Sequence, residues 1–314
     1  MSNPAFIINP LSHTVAKRGS NLVRAGVTSE TNCHILNAFD TLPAAVTDVL
    51  STGRDHVFIE GGDGTIHGVL SMFMAQQPDV DKLPSFTLLP GGMTNLVAAH
   101  VGLKRPSNKK IMALAENPEK QETIELPMLG CKAADSDITH YGFLLSTGAL
   151  PAATRYCLDN IHTKGVGGSA AVRNTLLKVL FGRGVERGII LKPTPLALDR
   201  GAEKIDGSHI VMAATTLPRL MIGLNPFWGT GDGRLMVTHI NEDARHVVRN
   251  VAKFFKSSQS LRSTKALKRD GFQSWNMENT QMQLPGEIVL DGEFLPQTNA
   301  PISLFATKPL RFIK

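Results

Sequence analysis

The segment Glu60-Gly61-Gly62-Asp63-Gly64-Thr65 restricts the fold of this chain more than any other. It follows the apolar run His56–Ile59 and precedes Ile66-His67-Gly68-Val69-Leu70. A short apolar run, paired glycines, a carboxylate and a helix-length apolar pattern make a strand–loop–helix junction. Gly61, Gly62 and Gly64 have no Cβ, so the backbone can turn sharply there and come close to a ligand. Amides at the start of the following helix favour an anion. Asp63 puts a negative charge where a phosphate would sit, which calls for a cation between them. The sharp reading is a nucleotide-binding loop, and the plain one is a tight turn in an α/β protein. No Gly-Lys-Ser/Thr follows and no GxGxxG is present, so this is not a Walker-type loop or a dinucleotide fingerprint.

The first third of the chain alternates in period. Ala5–Ile8, Cys33–Leu36, His56–Ile59 and Phe86–Leu89 read as strands. Helical patterns lie around Val15–Ala25, Ala44–Leu50, Ile66–Ala75 and Thr94–Val101. In the third of these, Ile66, Val69, Leu70, Phe73 and Met74 fall on one helix face. This alternation predicts a parallel sheet with helices on both faces. Such sheets bind ligands at the carboxyl ends of their strands, here the loops after Ile8, Ile59 and Leu89.

The rhythm changes near residues 120–130. Tyr141–Leu145, Ile189–Leu191, Ile210–Ala214, Leu235–Ile240, Ile288–Leu290 and Ile302–Phe305 read as strands. Two helical stretches interrupt them, Ala170–Phe181 and Glu242–Lys256. This predicts a second, larger and mostly antiparallel β domain, a sandwich. The expected division is an α/β nucleotide-binding domain over 1–127, a β-sandwich over 128–300, and a segment 301–314 that packs back on the first domain.

The 314 residues are 42% hydrophobic, enough for cores and against wholesale disorder. The net charge of +6 suits ATP, an anionic membrane surface or nucleic acid. Aromatics are only 6%, which argues against stacking platforms for nucleic acid, and none is expected as a partner. Cys33, Cys131 and Cys157 are scattered, with no zinc spacing or disulfide framework, so a reducing cytoplasm is the expected compartment. No charged n-region precedes an apolar stretch at the start, and no run reaches transmembrane length.

Three further segments accompany the first loop. Pro90-Gly91-Gly92-Met93-Thr94-Asn95 is a second glycine-rich strand-to-helix loop, Asp232-Gly233-Arg234-Leu235 precedes a strand, and Asp291-Gly292-Glu293 sits between two strands. In this order, with Asn9-Pro10 near the start, the chain resembles the diacylglycerol kinase catalytic family. The resemblance is nearer to its soluble bacterial lipid kinases, related to diacylglycerol and sphingosine kinases. It implies an active site in a cleft between an α/β domain and a β-sandwich. It implies ATP with Mg2+, and transfer of the γ-phosphate to a hydroxyl of diacylglycerol or a similar lipid. Asp63 would help hold the Mg2+, with Gly61, Gly62, Gly64 and Thr65 lining the phosphates. Asn9 would sit at the nucleotide edge of the first loop, and Gly92, Thr94 and Asn95 would shape the second. Glu293 would be the general base with Asp291 beside it, and Asp232 would hold a structural Mg2+. Taken by itself, Asp291-Gly292-Glu293 also reads as a hairpin turn, because Asp-Gly is a favoured turn pair. The pair Asp232-Gly233 reads equally as a plain turn before a strand.

The chain departs from the family pattern at His13, where a glycine is usual, and at Met93, where a threonine is usual. Glu125 stands for a frequent aspartate at the entrance to the second domain. Two other functions stay open: an NAD kinase-like activity on a soluble substrate, and a catalytically weak lipid- or nucleotide-binding protein. In Glu242–Lys256, Arg245, Arg249 and Lys253 share one face. With Lys256, Arg262, Lys265, Lys268 and Arg269 they read either as a solvated face or as a surface that visits anionic membrane transiently. A lipid-facing lid or a plain core helix is the choice at Ala170–Phe181. His67, His100 and His140 read as structural, and a homodimer is compatible with the chain.

Overall fold

The computed structural model describes residues 3–92, 95–103, 106–161, 188, 191–199, 204–220, 224–255 and 261–314. These fall into two compact units, Met1–Met128 with Lys308–Lys314, and Leu129–Thr307.

In the first unit, β1 (Pro4–Ile8), β2 (Cys33–Ile35), β3 (His56–Gly61) and β4 (Ser85–Pro90) pair in parallel in the order β2-β1-β3-β4. The helices are α1 (His13–Arg18), α2 (Asn21–Arg24), α3 (Leu42–Ser51), α4 (Asp63–Gln76), α5 (Ala98–Val101) and α6 (Asn108–Glu116). All of β3 is buried, as a strand covered on both faces must be. The expected face of α4 is the buried one, with Ile66, Val69, Leu70, Phe73 and Met74 turned inward. Phe6 stacks on Phe58 at 5.0 Å, and Phe73 meets Phe86 edge-on at 5.2 Å. Phe312, from the returning C-terminal segment, is fully buried 6.0 Å from Phe86 and pairs with it in parallel register. After β1 the chain steps to β2 on one side, then crosses to β3 on the other. The carboxyl ends of β1 and β3 therefore flank the reversal of strand order where open α/β sheets bind ligands.

The helix expected over Thr94–Val101 is shorter. Thr94 lies outside the described residues, and α5 begins only at Ala98. Asn95 has a left-handed φ of 53°, and the Asn95 and Leu96 amides donate to a side chain instead of starting a helix.

The second unit is built on antiparallel pairs. Its strands are the later part of β5 (Thr123–Ala133), β6 (Thr139–Gly142), β7 (Leu144–Gly148), β8 (Thr194–Asp199), β9 (Lys204–Thr215), β10 (Leu235–Asn241), β11 (Phe272–Met277), β12 (Asn279–Gln283), β13 (Ile288–Leu290), β14 (Glu293–Phe294) and the first part of β15 (Ile302–Ile313), whose residues from Lys308 on belong to the first unit. The helix α7 (Ala149–Ile161) follows β7 directly. The long strand β9 pairs antiparallel with β7, β8 and β10. Leu145, Met212, Ala214, Val237, Trp275, Met282, Leu290 and Leu304 belong to the core of this unit. The mixed architecture agrees with the fold expected from sequence, a parallel α/β part followed by an antiparallel β part.

Local departures have visible causes. The strand expected over Tyr141–Leu145 breaks between β6 and β7 at Phe143, where a carboxylate takes the amides of Phe143 and Leu144. Ala170–Phe181 lies outside the described residues, as do positions 189 and 190, and Leu191 is a turn. The single helix expected over Glu242–Lys256 is instead α8 (Val247–Val251), which passes into a 3-10 turn over Ala252–Phe255. His246 precedes α8 with a left-handed φ of 53°. Arg249 reaches the buried carboxylate of Asp270 at 3.3 Å, and Lys253 donates to Asn250 Oδ1 at 2.6 Å. Part of the basic stripe is thus engaged by polar partners of its own unit, although Arg249 stays exposed. The Asn250 hydrogen bond, then Arg269, holds the Asp270 carboxyl below its ordinary range. Lys265 and Lys268 are exposed on α9 (Leu261–Arg269). Lys256 and the Arg262 side chain lie outside the described residues. Among the described residues no helix is long and apolar enough to cross a membrane.

His56 opens β3 at 0% exposure, with Nδ1 2.7 Å from Ser85 Oγ and Nε2 3.0 Å from Thr87 Oγ1. Burial pushes its pKa down to about 4, against a smaller opposite pull from Asp55. The unfolded chain therefore takes up a proton at this histidine near its ordinary value of 6.5, while the folded one does not. The stabilisation is whole above pH 6.5 and is lost as pH falls toward 4, at up to about 1.4 kcal/mol per pH unit. Urea midpoints at pH 7 and pH 5 are expected to differ by clearly less in His56→Gln than in the wild type. Equal pH sensitivity in both proteins refutes this account.

Candidate functional site

The loops after β1, β3 and β4 are joined by backbone before any side chain is counted. Asn9 N donates to Glu60 O at 2.9 Å, Gly91 N to Gly61 O at 2.7 Å, and Thr14 N to Gly91 O at 2.8 Å. This closeness explains the glycines. A Cβ on Gly92 would lie 2.9 Å from Gly62 Cα, one on Gly91 3.0 Å from Gly61 C, and one on Gly61 2.6 Å from the Thr65 side chain. Gly64 differs, because a Cβ there would meet nothing within 4 Å. Those three glycines are needed for close packing, whereas Gly64 opens on free space.

Side chains complete the joint. The Asp63 carboxylate accepts Asn95 N on Oδ2 at 2.7 Å and Leu96 N on Oδ1 at 2.5 Å. Asn95 folds back on its own loop, accepting Gly92 N at 3.0 Å and donating to Gly92 O at 2.8 Å. Buried Asn9 donates through Nδ2 to Thr65 Oγ1 at 2.8 Å and accepts Leu11 N on Oδ1 at 2.9 Å. Ser12 Oγ accepts Gly62 N at 3.1 Å. The amides of Asp63, Gly64 and Thr65, in the first turn of α4, have no partner among the described residues. These unpartnered donors stand at the positive end of a 14-residue helix, beside the open space at Gly64. Such an arrangement suits an anionic group.

The structure therefore gathers Asn9, Gly61, Gly62, Asp63, Gly64, Thr65, Gly92 and Asn95. Thr94 and Met93 lie outside the described residues. His13 is exposed, 3.3 Å from Lys17 Nζ. Motif spacing does not single out Glu60 or Ser12, yet both belong to this joint. Glu60 is 1% exposed, and its carboxylate accepts four hydrogen bonds from Ser20, Asn21 and Leu22. The one local signal for it is an acid at the end of an otherwise apolar strand.

The remaining expected residues belong to the second unit. Asp291 and Gly292 are the two-residue turn between β13 and β14, both at positive φ, 49° and 96°. That is the hairpin the Asp-Gly pair suggests. The Asp291 carboxylate accepts Phe143 N at 2.9 Å and Leu144 N at 2.8 Å, joining the turn to the start of β7. Glu293, opposite Leu290 in the hairpin, is exposed. Asp232 is exposed within Gly229–Gly233, whose alternate glycines lie against the backbone of Trp275, Asn276 and Met277. A Cβ on Gly233 would overlap Met277 at 1.8 Å. Glu125 is an exposed residue of β5. Among the described residues no three His, Cys, Asp or Glu side chains gather as a metal site.

Residues 5–126 match the family described as the diacylglycerol kinase catalytic domain, the family the motifs resemble. No curated protein matches the chain. Among solved structures it is similar to a candidate diacylglycerol kinase from Bacillus anthracis str. Sterne, with 12% identity, 98% of this chain and 95% of that one covered, and a TM-score of 0.64. A diacylglycerol kinase structure from the same organism has 11% identity, coverage of 99% and 96%, and a TM-score of 0.61. At such identities these likenesses speak for the fold.

Gly92→Ala should lower stability by roughly 1–3 kcal/mol through overlap with Gly62, whereas Gly64→Ala should leave it unchanged or slightly raised. Asp291→Ala should lose roughly 2 kcal/mol with its two amide bonds, whereas Glu293→Ala should stay within about 0.5 kcal/mol of the wild type. Urea unfolding of the four variants checks both contrasts, and inverted rankings count against the assigned contacts.

Proposed function

We propose, from the match of residues 5–126 to the diacylglycerol kinase catalytic domain, that this protein is an ATP-dependent lipid kinase of that family. It transfers the γ-phosphate to a hydroxyl of diacylglycerol or a similar amphiphile. The observation that supports this most is the unpartnered first turn of α4 beside the open space at Gly64, next to a joint of loops too tight for a Cβ. Phosphoryl transfer is achieved mainly by positioning and charge stabilisation, and this unit has the means for both.

The α4 amides bind and orient the phosphates. Asn9 and Thr65 hold the first loop to the helix, and Asn95 stiffens the second loop. The carboxylate of Asp63 already accepts an amide on each oxygen, so it is a single supplementary ligand rather than a cage. Asp63 would hold a Mg2+ ion that arrives with the nucleotide. When bound, such an ion offsets charge on the transferred group. Asp232 stands in no group of three or more His, Cys, Asp or Glu side chains among the described residues, so its structural Mg2+ would need ligands of another kind. Glu293, on the β13–β14 hairpin, is the general base that takes the proton from the acceptor hydroxyl as its oxygen attacks the γ-phosphorus and ADP leaves. Asp291 keeps that hairpin in place through the amides of Phe143 and Leu144. The acceptor lipid is drawn from an anionic membrane surface, for which the exposed Lys265 and Lys268 are suited.

The test is phosphorylation of a total lipid extract with labelled ATP, followed by identification of the product. Label is expected in a phospholipid. Glu293→Gln should lower kcat by about 10²–10⁴-fold with ATP binding retained, and Gly64→Ala should weaken ATP binding in a folded protein. ATP binding with no labelled lipid from any extract refutes the kinase reading.

A further inference from the structure

Glu60 is the last side chain before the glycines, and its carboxylate is spent on a different stretch of chain. It is the one acid of β3 and is 1% exposed. Its Oε1 accepts Asn21 N at 2.8 Å and Asn21 Nδ2 at 2.7 Å; its Oε2 accepts Ser20 Oγ at 2.5 Å and Leu22 N at 3.3 Å. A buried carboxylate needs such a complement of donors to remain in the fold. The same residue's backbone carbonyl accepts Asn9 N at 2.9 Å. Glu60 thus holds both ends of one segment, Asn9 by its main chain and Ser20–Leu22 by its side chain.

That segment contains the groups that set the phosphate cradle. Asn9 holds Thr65, Ser12 holds the amide of Gly62, and Thr14 N holds Gly91 O. These three contacts all end on the two glycine loops or the first turn of α4. A segment that joins both loops at one end needs a fixed point at the other, and Leu22, fully buried, is the apolar half of that point. The carboxylate of Glu60 is its polar half.

We propose that Glu60 is a positioning residue for the phosphate donor. By anchoring Ser20–Leu22 it keeps Asn9, Ser12 and Thr14 in register with the glycine loops, so its loss weakens ATP binding and not the transfer step. The role rests on the reading of the first unit as the donor site.

The test uses the full chain, with equilibrium binding of a fluorescent trinitrophenyl-ATP and steady-state KM values for ATP and lipid. Glu60→Ala is expected to raise the ATP Kd and KM by about tenfold or more, with kcat and the lipid KM within about threefold, the equivalent of losing one or more hydrogen bonds to a charged group. Glu60→Gln keeps the shape and one acceptor oxygen, which retains both Asn21 donors, and its amide can donate to Ser20 Oγ but no longer accepts Leu22 N, so it should recover part of the affinity. Ser20→Ala removes one donor to Glu60 together with the acceptor that caps Val23 N, and should raise the ATP KM by roughly two- to fourfold, which keeps the test open if Glu60→Ala does not fold. Unchanged ATP affinity in Glu60→Ala or Ser20→Ala, or an equal loss in kcat and both KM values, overturns the positioning role alone. A wild-type protein that binds no ATP overturns the donor reading and the positioning role together.

Discussion

The hydrogen bond from Gly91 N to Gly61 O, 2.7 Å long, brings two strand-to-helix loops into backbone contact, and the site in the first unit depends on it. Side chains could not share that space. A Cβ on Gly61, Gly91 or Gly92 would press on Thr65, Gly61 or Gly62. The loops are glycine-rich first because they touch each other. Gly64 instead faces open space, and it lies in the first turn of α4, where amides of the helix remain unpartnered among the described residues.

Carboxylates serve repeatedly in this protein as clamps on backbone amides. Asp63 holds Asn95 and Leu96, Glu60 holds Asn21 and Leu22, and Asp291 holds Phe143 and Leu144. Hydrogen bonds to a charged acceptor contribute more than neutral ones, typically about 1.5–3 kcal/mol. Two of these clamps also interrupt a regular element, at the late start of α5 and at the gap between β6 and β7. An acid of this kind shapes the chain whether or not it also meets a ligand.

Much of the fold is legible in periodicity. The buried face of α4 and the four parallel strands follow from apolar spacing, because helices and strands bury their sides at different periods. The basic stretch near Arg249 has the spacing of one long helix and does not form it. His246 is left-handed there, and Arg249 and Lys253 pair with Asp270 and Asn250. The role of Glu60 is not legible, since its side-chain partners lie about 40 positions earlier and no local pattern announces them.

By itself the sequence determined the class of the protein: a glycine-rich strand–loop–helix junction, an alternating first part and a β-rich second part. Those properties depend on local spacing and on the absence of a Cβ. Tertiary structure decided what each glycine and acid is for. It separated Gly64, which opens on space, from Gly61, Gly91 and Gly92, which are closely packed. It also turned Asp63 and Asp291 toward amides distant in the chain. Such contacts join residues far apart in sequence, so only the folded chain can specify them.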